Sequence, residues 1–238
     1  MNLICYLSNG YPTIESSKKI AQEYVEAGCD IIEIDFPSHN PFLESELIAG
    51  RMKKALENCS DYSAYMKGMV EIKEALPQTK FILMVYENTV EEIGTEKFIK
   101  FCLQYHYEDI ILVGLKDDTI KNELIKNNLK VSCYVQFHLP EDEVEYAKNA
   151  NGFVYLQAKP TTGKINENYP TLKDCITYLK AQGIDRKIYC GVGVHAPEDM
   201  TMVKEAGGDG TFVGSTILKL HDEPEKMKET IRKFKEKC

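Results

Sequence analysis

The sequence predicts an α/β protein built as a closed (β/α)8 TIM barrel, in a single domain spanning residues 1–238. Three observations carry this reading. Strand-like and helix-like patterns alternate along the whole chain. The strand-like runs are short and apolar on both faces, as parallel strands covered by helices are. Eight such units in 238 residues match the usual size of this barrel. An open doubly wound sheet would prefer a glycine fingerprint after its first strand, and "SNGYP" (8–12) is not one.

Each element has its own signature. "NLICYL" (2–7) reads as the first strand and "TIESSKKIAQEYVEAG" (13–28) as an amphipathic helix, with Thr13 at its start and Gly28 at its end. "DIIEID" (30–35) is the second strand. "SELIAGRMKKALE" (45–57), capped by Ser45, and "YSAYMKGMVEIKEA" (62–75) are helices. "KFILMVY" (80–86) precedes a helix over 94–105, and "DIILVGL" (109–115) precedes one over 117–127. "KVSCYVQF" (130–137) is followed by "PEDEVEYAKNA" (140–150), a helix with Pro in its first turn. "GFVYLQA" (152–158) leads through a Gly/Pro/Asn-rich loop to a helix over 170–182. "KIYCGVG" (187–193), a helix over 196–206, "GTFVG" (210–214) and a terminal helix complete the order.

Composition narrows the function. Net charge is −8 with both signs interspersed, which argues against nucleic acid or an anionic membrane as the main ligand. No apolar run approaches the ~18 residues of a membrane span. "MNLICYLSNGYP" lacks the basic start and cleavage site of a signal peptide and reads as a strand. The eight cysteines form no C-x-x-C pair, so free thiols and a cytoplasmic location are expected, with no metal site.

Two glycine stretches lie where a barrel binds phosphate. "CGVGVHAPED" (190–199) follows the seventh strand, and "DGTFVGSTILKL" (209–220) holds the eighth and opens a short helix. Gly191, Gly193 and Gly214 let the backbone come close, and the N–H groups around Gly214, Ser215 and Thr216 favour an anion. His195 either touches that ligand or simply starts a helix. Tight βα turns are the alternative use of these glycines.

The second strand raises a different question. Glu33 and Asp35 stand two apart in an otherwise apolar run, so they share a face. They end a strand, where barrels place their catalytic groups. An ion pair with a lysine is one reading. Acid–base chemistry is the other, since two adjacent buried acids push one carboxyl towards the protonated form at neutral pH. Catalysis is favoured for Glu33.

These residues carry a resemblance. "AGCDIIEIDFPSHNP" resembles the second-strand segment of the tryptophan synthase α subunit family, which typically reads A-G-A-D-x-x-E-x-G-x-P-F-S-D-P. "YLSNGYPTIESS", "LMVYENTVEEIGTEKF", "GFVYLQAKPTTG", "CGVGVHAPEDM" and "AGGDGTFVGSTILK" are similar to further segments of that family, in order from about residue 5 to 220. The resemblance implies a barrel of the ribulose-phosphate-binding type. It also implies a lyase of tryptophan biosynthesis, which cleaves indole-3-glycerol phosphate to indole and glyceraldehyde 3-phosphate by a retro-aldol reaction. It implies no cofactor of the chain's own, and a β-subunit partner that carries pyridoxal phosphate.

Residue by residue, the family's essential glutamate falls on Glu33, and the aspartate that supports the indole N–H falls on Glu44. The two family tyrosines fall on Tyr86 and Tyr155, and the mobile-loop threonine on Thr162, followed by Gly163. The phosphate contacts fall on Gly191, Gly193, Gly214 and Ser215. The chain also departs from the family. Asp35 stands where the family has glycine, so it enters the expected substrate-binding set as an addition. Glu44 replaces aspartate and reads equally as an acid favoured by a helix N-terminus. The sixth loop is shorter, and "LKDD" (115–118) replaces a D-x-P signature.

Two other readings follow from those departures. One is a different phosphate-binding barrel enzyme, in which Lys159 forms a Schiff base with a carbonyl substrate. The other is a catalytically impaired barrel that binds ligand and regulates a partner.

Overall fold

Strand residues alternate between a helix-covered side and the barrel interior, and both sides are apolar. In β1 (Asn2–Leu7), Leu3, Cys5 and Leu7 join the large core under the helices, whereas Ile4 and Tyr6 point inward. β2 (Ile31–Asp35), β3 (Lys80–Tyr86) and β4 (Asp109–Val113) follow the same rule in a computed structural model that describes residues 1–114, 117–161 and 163–238. The interior begins with a layer of Ile4, Ile31, Ile82, Phe153, Tyr189 and Phe212. Above it lie Tyr6, Met84 and Tyr86, closed by Met52 and Leu218.

All strands pair in parallel. The sequence anticipated one strand over 130–137; there the ladder is split into β5 (Lys130–Val131) and β6 (Cys133–Val135). β5 pairs with β4, and β6 pairs with β7 (Val154–Gln157). β8 (Ile188–Gly191) and β9 (Gly210–Val213) carry the sheet back to β1. Only Ser132 separates β5 from β6, and its N–H donates to the Ile110 carbonyl at 2.9 Å. The nine ladder segments are therefore eight barrel strands, as expected, closed at one seam.

Helix ends follow the sequence signals closely. Thr13 caps α1 (Ile14–Glu26) by accepting from Ser16 N–H, and Ser45 caps α2 (Glu46–Asn58) by accepting from Ile48 N–H. α3 (Tyr62–Ala75) starts at the cap Asp61. One short helix was not foreseen: α4 (Glu87–Ile93) fills the loop after β3. Gly94, at φ +92°, separates it from α5 (Thr95–Gln104). α6 (Thr119–Lys126), α7 (Glu141–Asn149), α8 (Leu172–Ala181), α9 (Pro197–Ala206), the short α10 (Ser215–Leu218) and α11 (Pro224–Lys235) complete the ring. No helix among the described residues is long and apolar enough to cross a membrane.

At the N-terminal end of the barrel, acids are tied to partners. Asp30 accepts from Leu3 N–H at 2.8 Å and from Lys235 Nζ at 2.7 Å. Asp209 accepts from Ile188 N–H at 3.0 Å and from Lys187 Nζ at 2.7 Å.

Candidate active site

Inside the C-terminal end of the barrel, three acids have no cation paired with them among the described residues. Ile31 faces the interior, so Glu33 and Asp35, two and four residues on, face it too. Both are buried. Among the described residues, neither makes an ion pair, and neither does Glu44. Burial, with Glu44 and Asp35 nearby, holds the Glu33 carboxyl well above the usual carboxylate range. Burial also raises Asp35, to about 7, against the hydrogen bonds that favour its charge. Those bonds come from Tyr6 Oη to Oδ2 and from Asn9 N–H to Oδ1, each at 2.6 Å. Burial raises Glu44 as well, opposed by the hydrogen bond it accepts from Tyr86 Oη at 3.1 Å.

Three of these side chains, Tyr6, Glu33 and Glu44, border a cavity of about 690 Å³. Glu33 and Glu44 line it with Tyr6, Met84, Ile111 and Phe212, and the glycine turns lie on the same wall through Gly193, Val194, Gly214 and Ser215. Among the described residues no lysine or arginine lines it and His195 is the only nitrogenous side chain that does, so backbone N–H groups and hydroxyls such as that of Ser215 are donors an anion could meet there. Asp199 organises one turn by accepting from both His195 N–H and Ala196 N–H. Val192 takes φ +62°, an unusual conformation for a β-branched residue, between Gly191 and Gly193.

The anticipated residues fall into distinct places. Glu33, Glu44, Tyr155, Gly193, Gly214 and Ser215 line the cavity. Asp35 and Tyr86 do not: Asp35 bonds to Tyr6, and the fully buried Tyr86 holds Glu44 and packs edge-on to Phe42 at 5.3 Å. Gly191 is also off the wall. A Cβ there would meet the Tyr155 ring at 2.4 Å, so its missing side chain makes room for that tyrosine. Tyr155 in turn stacks on Phe212 at 4.3 Å. Gly163 has open space around it, and Thr162 lies outside the described residues. Lys159 turns away to pair with Asp199 at 2.6 Å, so the amine proposed for a Schiff base is committed elsewhere.

The sequence did not single out Tyr6, Arg51 or His221. Arg51 donates to the Leu218 carbonyl at the end of α10 and to His221 Nδ1. Tyr24 Oη donates to the Tyr6 carbonyl, so its oxygen is left to accept from His221 Nε2–H at 2.6 Å. Burial and the Arg51 charge hold the His221 imidazole down to about 3, so it is neutral. The chain of bonds ties the end of α10 to the strand that carries Tyr6. An arginine and a histidine 170 residues apart give no sequence signal. Among the described residues, no group of three or more His, Cys, Asp or Glu is placed to hold a metal ion.

Comparison with known proteins identifies the family. The family model described as "Tryptophan synthase alpha chain" matches residues 1–238. The tryptophan synthase alpha chain of Staphylococcus carnosus is 27% identical over 221 residues, covering 91% of this chain and 86% of its own length. That of Methanosarcina barkeri is 25% identical over 234 residues, covering 96% and 87%. Among solved structures, tryptophan synthase subunit alpha from Campylobacter jejuni superposes with a TM-score of 0.83 at 24% identity, covering 98% of this chain and 95% of its own. The family model spans every residue that builds the cavity, and the chain belongs to the tryptophan synthase alpha chain family.

Proposed function

We propose that the chain cleaves indole-3-glycerol phosphate to indole and glyceraldehyde 3-phosphate. One observation carries this reading above the others: Glu33 is a buried carboxyl, its affinity for a proton raised well above the usual carboxylate range by burial, on the wall of a largely apolar cavity whose lining includes two glycine turns. A protonated carboxyl in that position can deliver a proton to a ring carbon, which is what makes indole a leaving group. Aromatic and aliphatic walls accept the flat ring. Glu44, fixed by Tyr86, accepts the ring N–H as positive charge develops on it. The phosphate meets backbone N–H groups at Gly193, Val194, Gly214 and Ser215. The chemistry needs no cofactor of the chain's own.

The test is indole release from indole-3-glycerol phosphate by the purified chain, with Glu33→Gln as its control. Release by the wild type that the variant loses supports the lyase; bound substrate with no release defeats it.

The reading extends to a partner. The family pairs with a β subunit, and here Phe42 and Leu43 sit exposed on the loop after β2, Leu43 at 69%. Such apolar residues beside the cavity suit a protein contact that receives indole. Adding a β subunit should raise the rate of indole formation if the two assemble. The cytoplasm is the matching location for this pair.

A further inference from the structure

The acid at position 35 has no counterpart in the family segment, yet it makes two of the shortest hydrogen bonds in the site. It does not line the cavity, but Tyr6, which bonds to it, does. Tyr6 and Glu33 are register partners on adjacent strands, so both reach the same layer of the interior. Asn9 N–H fixes the second oxygen of Asp35 and leaves Oδ2 for the phenol alone. Beside it, Ser8 Oγ and both polar side-chain atoms of Asn9 are buried without a partner, so this corner has more polar capacity than the chain itself uses.

We propose that Tyr6 and Asp35 form a second acid–base unit, which takes up the substrate hydroxyl proton as the carbon–carbon bond breaks. The proposal rests on the lyase reading above. Retro-aldol cleavage moves two protons: one joins the departing ring carbon, and one leaves the hydroxyl on the neighbouring carbon. Glu33 supplies the first. The second passes to Tyr6 Oη while the proton of Tyr6 passes to Asp35 Oδ2. The O–H electron pair becomes the second bond of the new carbonyl, and the pair of the broken C–C bond becomes, in net, the new C–H bond. Glu33 ends ionised and Asp35 protonated, so the site's proton count is unchanged and no oxidant or reductant is needed. Tyr6 meets the substrate; Asp35 acts through it, as the group that positions the phenol and accepts its proton.

Asp35 must be ionised to serve. The groups that face it are Tyr6 on β1, Glu33 on its own strand, Tyr86 on β3, Tyr65 on α3 and Glu44 on the loop after β2. None is a cation, and burial, with Glu44 nearby, raises its carboxyl to about 7, so activity should rise with pH through that value.

The experiment measures steady-state indole release by the wild type, Asp35→Asn, Tyr6→Phe and the double variant, each as a function of pH. The expected result is a fall of about 100-fold in kcat for each single variant, with KM little changed and the rise near neutral pH gone. The double variant should be no slower than either single one, because the two groups pass one proton. A near wild-type rate with the pH rise intact, or losses that multiply in the double variant, overturns the proposal. Should Asp35→Asn fail to fold, Tyr6→Phe decides alone: a near wild-type rate with the pH rise intact overturns the proposal, and a loss of about 100-fold with the rise gone supports it. A wild type that releases no indole overturns this proposal together with the lyase reading; an active wild type with unaffected variants overturns this proposal only.

Discussion

Two sets of acidic residues at the two ends of this barrel are treated in opposite ways. At the N-terminal end, Asp30 and Asp209 each hold a lysine and a backbone N–H. At the C-terminal end, Glu33, Asp35 and Glu44 have phenols and N–H groups around them and, among the described residues, no cation paired with them. The first arrangement lowers the energy of the folded chain by satisfying charge. The second leaves charge disfavoured, which costs stability and stores a proton where a reaction can use it. A barrel can carry both because its strands separate the two ends by the full depth of the apolar interior layer. The same residue type thus reads as mortar at one end and as chemistry at the other, and its partners tell the two apart.

The contrast can be broken from either end. Glu33→Gln should give the largest effect, a loss of about 10³-fold in indole release with little change in melting temperature, because the amide keeps the shape of the protonated acid. Asp35 then sharpens the comparison through stability. Its folded pKa of about 7 exceeds its ordinary value of 3.8, so the native state binds its proton more tightly than the unfolded chain does. Its contribution is greatest below the ordinary value and is lost as pH rises through about 7, at most about 4 kcal/mol by linkage. Denaturant titrations across that window should show stability declining in the wild type and a flatter profile in Asp35→Asn.

Gly191→Ala should come next. Its methyl group would meet the Tyr155 ring at 2.4 Å and displace a cavity wall. A cost of about 1–3 kcal/mol in urea unfolding is expected, together with a raised KM. Asp30→Ala should have the smallest effect and the opposite profile. Losing the Lys235 pair and the Leu3 N–H acceptor should cost about 1–2 kcal/mol, with kcat and KM of the folded chain unchanged. Activity lost in Asp30→Ala in proportion to Glu33→Gln would mean that the two ends are not functionally separate.

The barrel was legible in the sequence because its signal is global. Eight apolar runs spaced by amphipathic helices leave few other ways to bury both faces. Caps such as Thr13 and Ser45 were legible because they act on residues three away. Glu33 and Asp35 could be placed on one interior face, since strand periodicity settles direction. What Asp35 bonds to could not be read, because Tyr6 comes from a strand 29 residues earlier. Gly191 teaches a related lesson. Its lack of a side chain marks a close approach, but only the fold shows that a tyrosine ring makes it. The short helix after β3 escaped notice because "ENTVEEI" has no side-chain cap and too few turns for an apolar stripe to repeat.

The seam at Ser132 gives the barrel wall unequal strength. β5 and β6 pair with their neighbours over two and three residues, whereas β2 and β3 pair over five. Amide hydrogens around residues 130–135 should therefore exchange with solvent sooner than those of β2, by local opening that leaves the rest of the ladder intact. Ser132, at this weak joint, and Tyr134, on β6 beside it, line the cavity. Slow exchange in β2 beside fast exchange at the seam would describe a vessel with a rigid floor for proton transfer and one wall soft enough to admit a bulky ring.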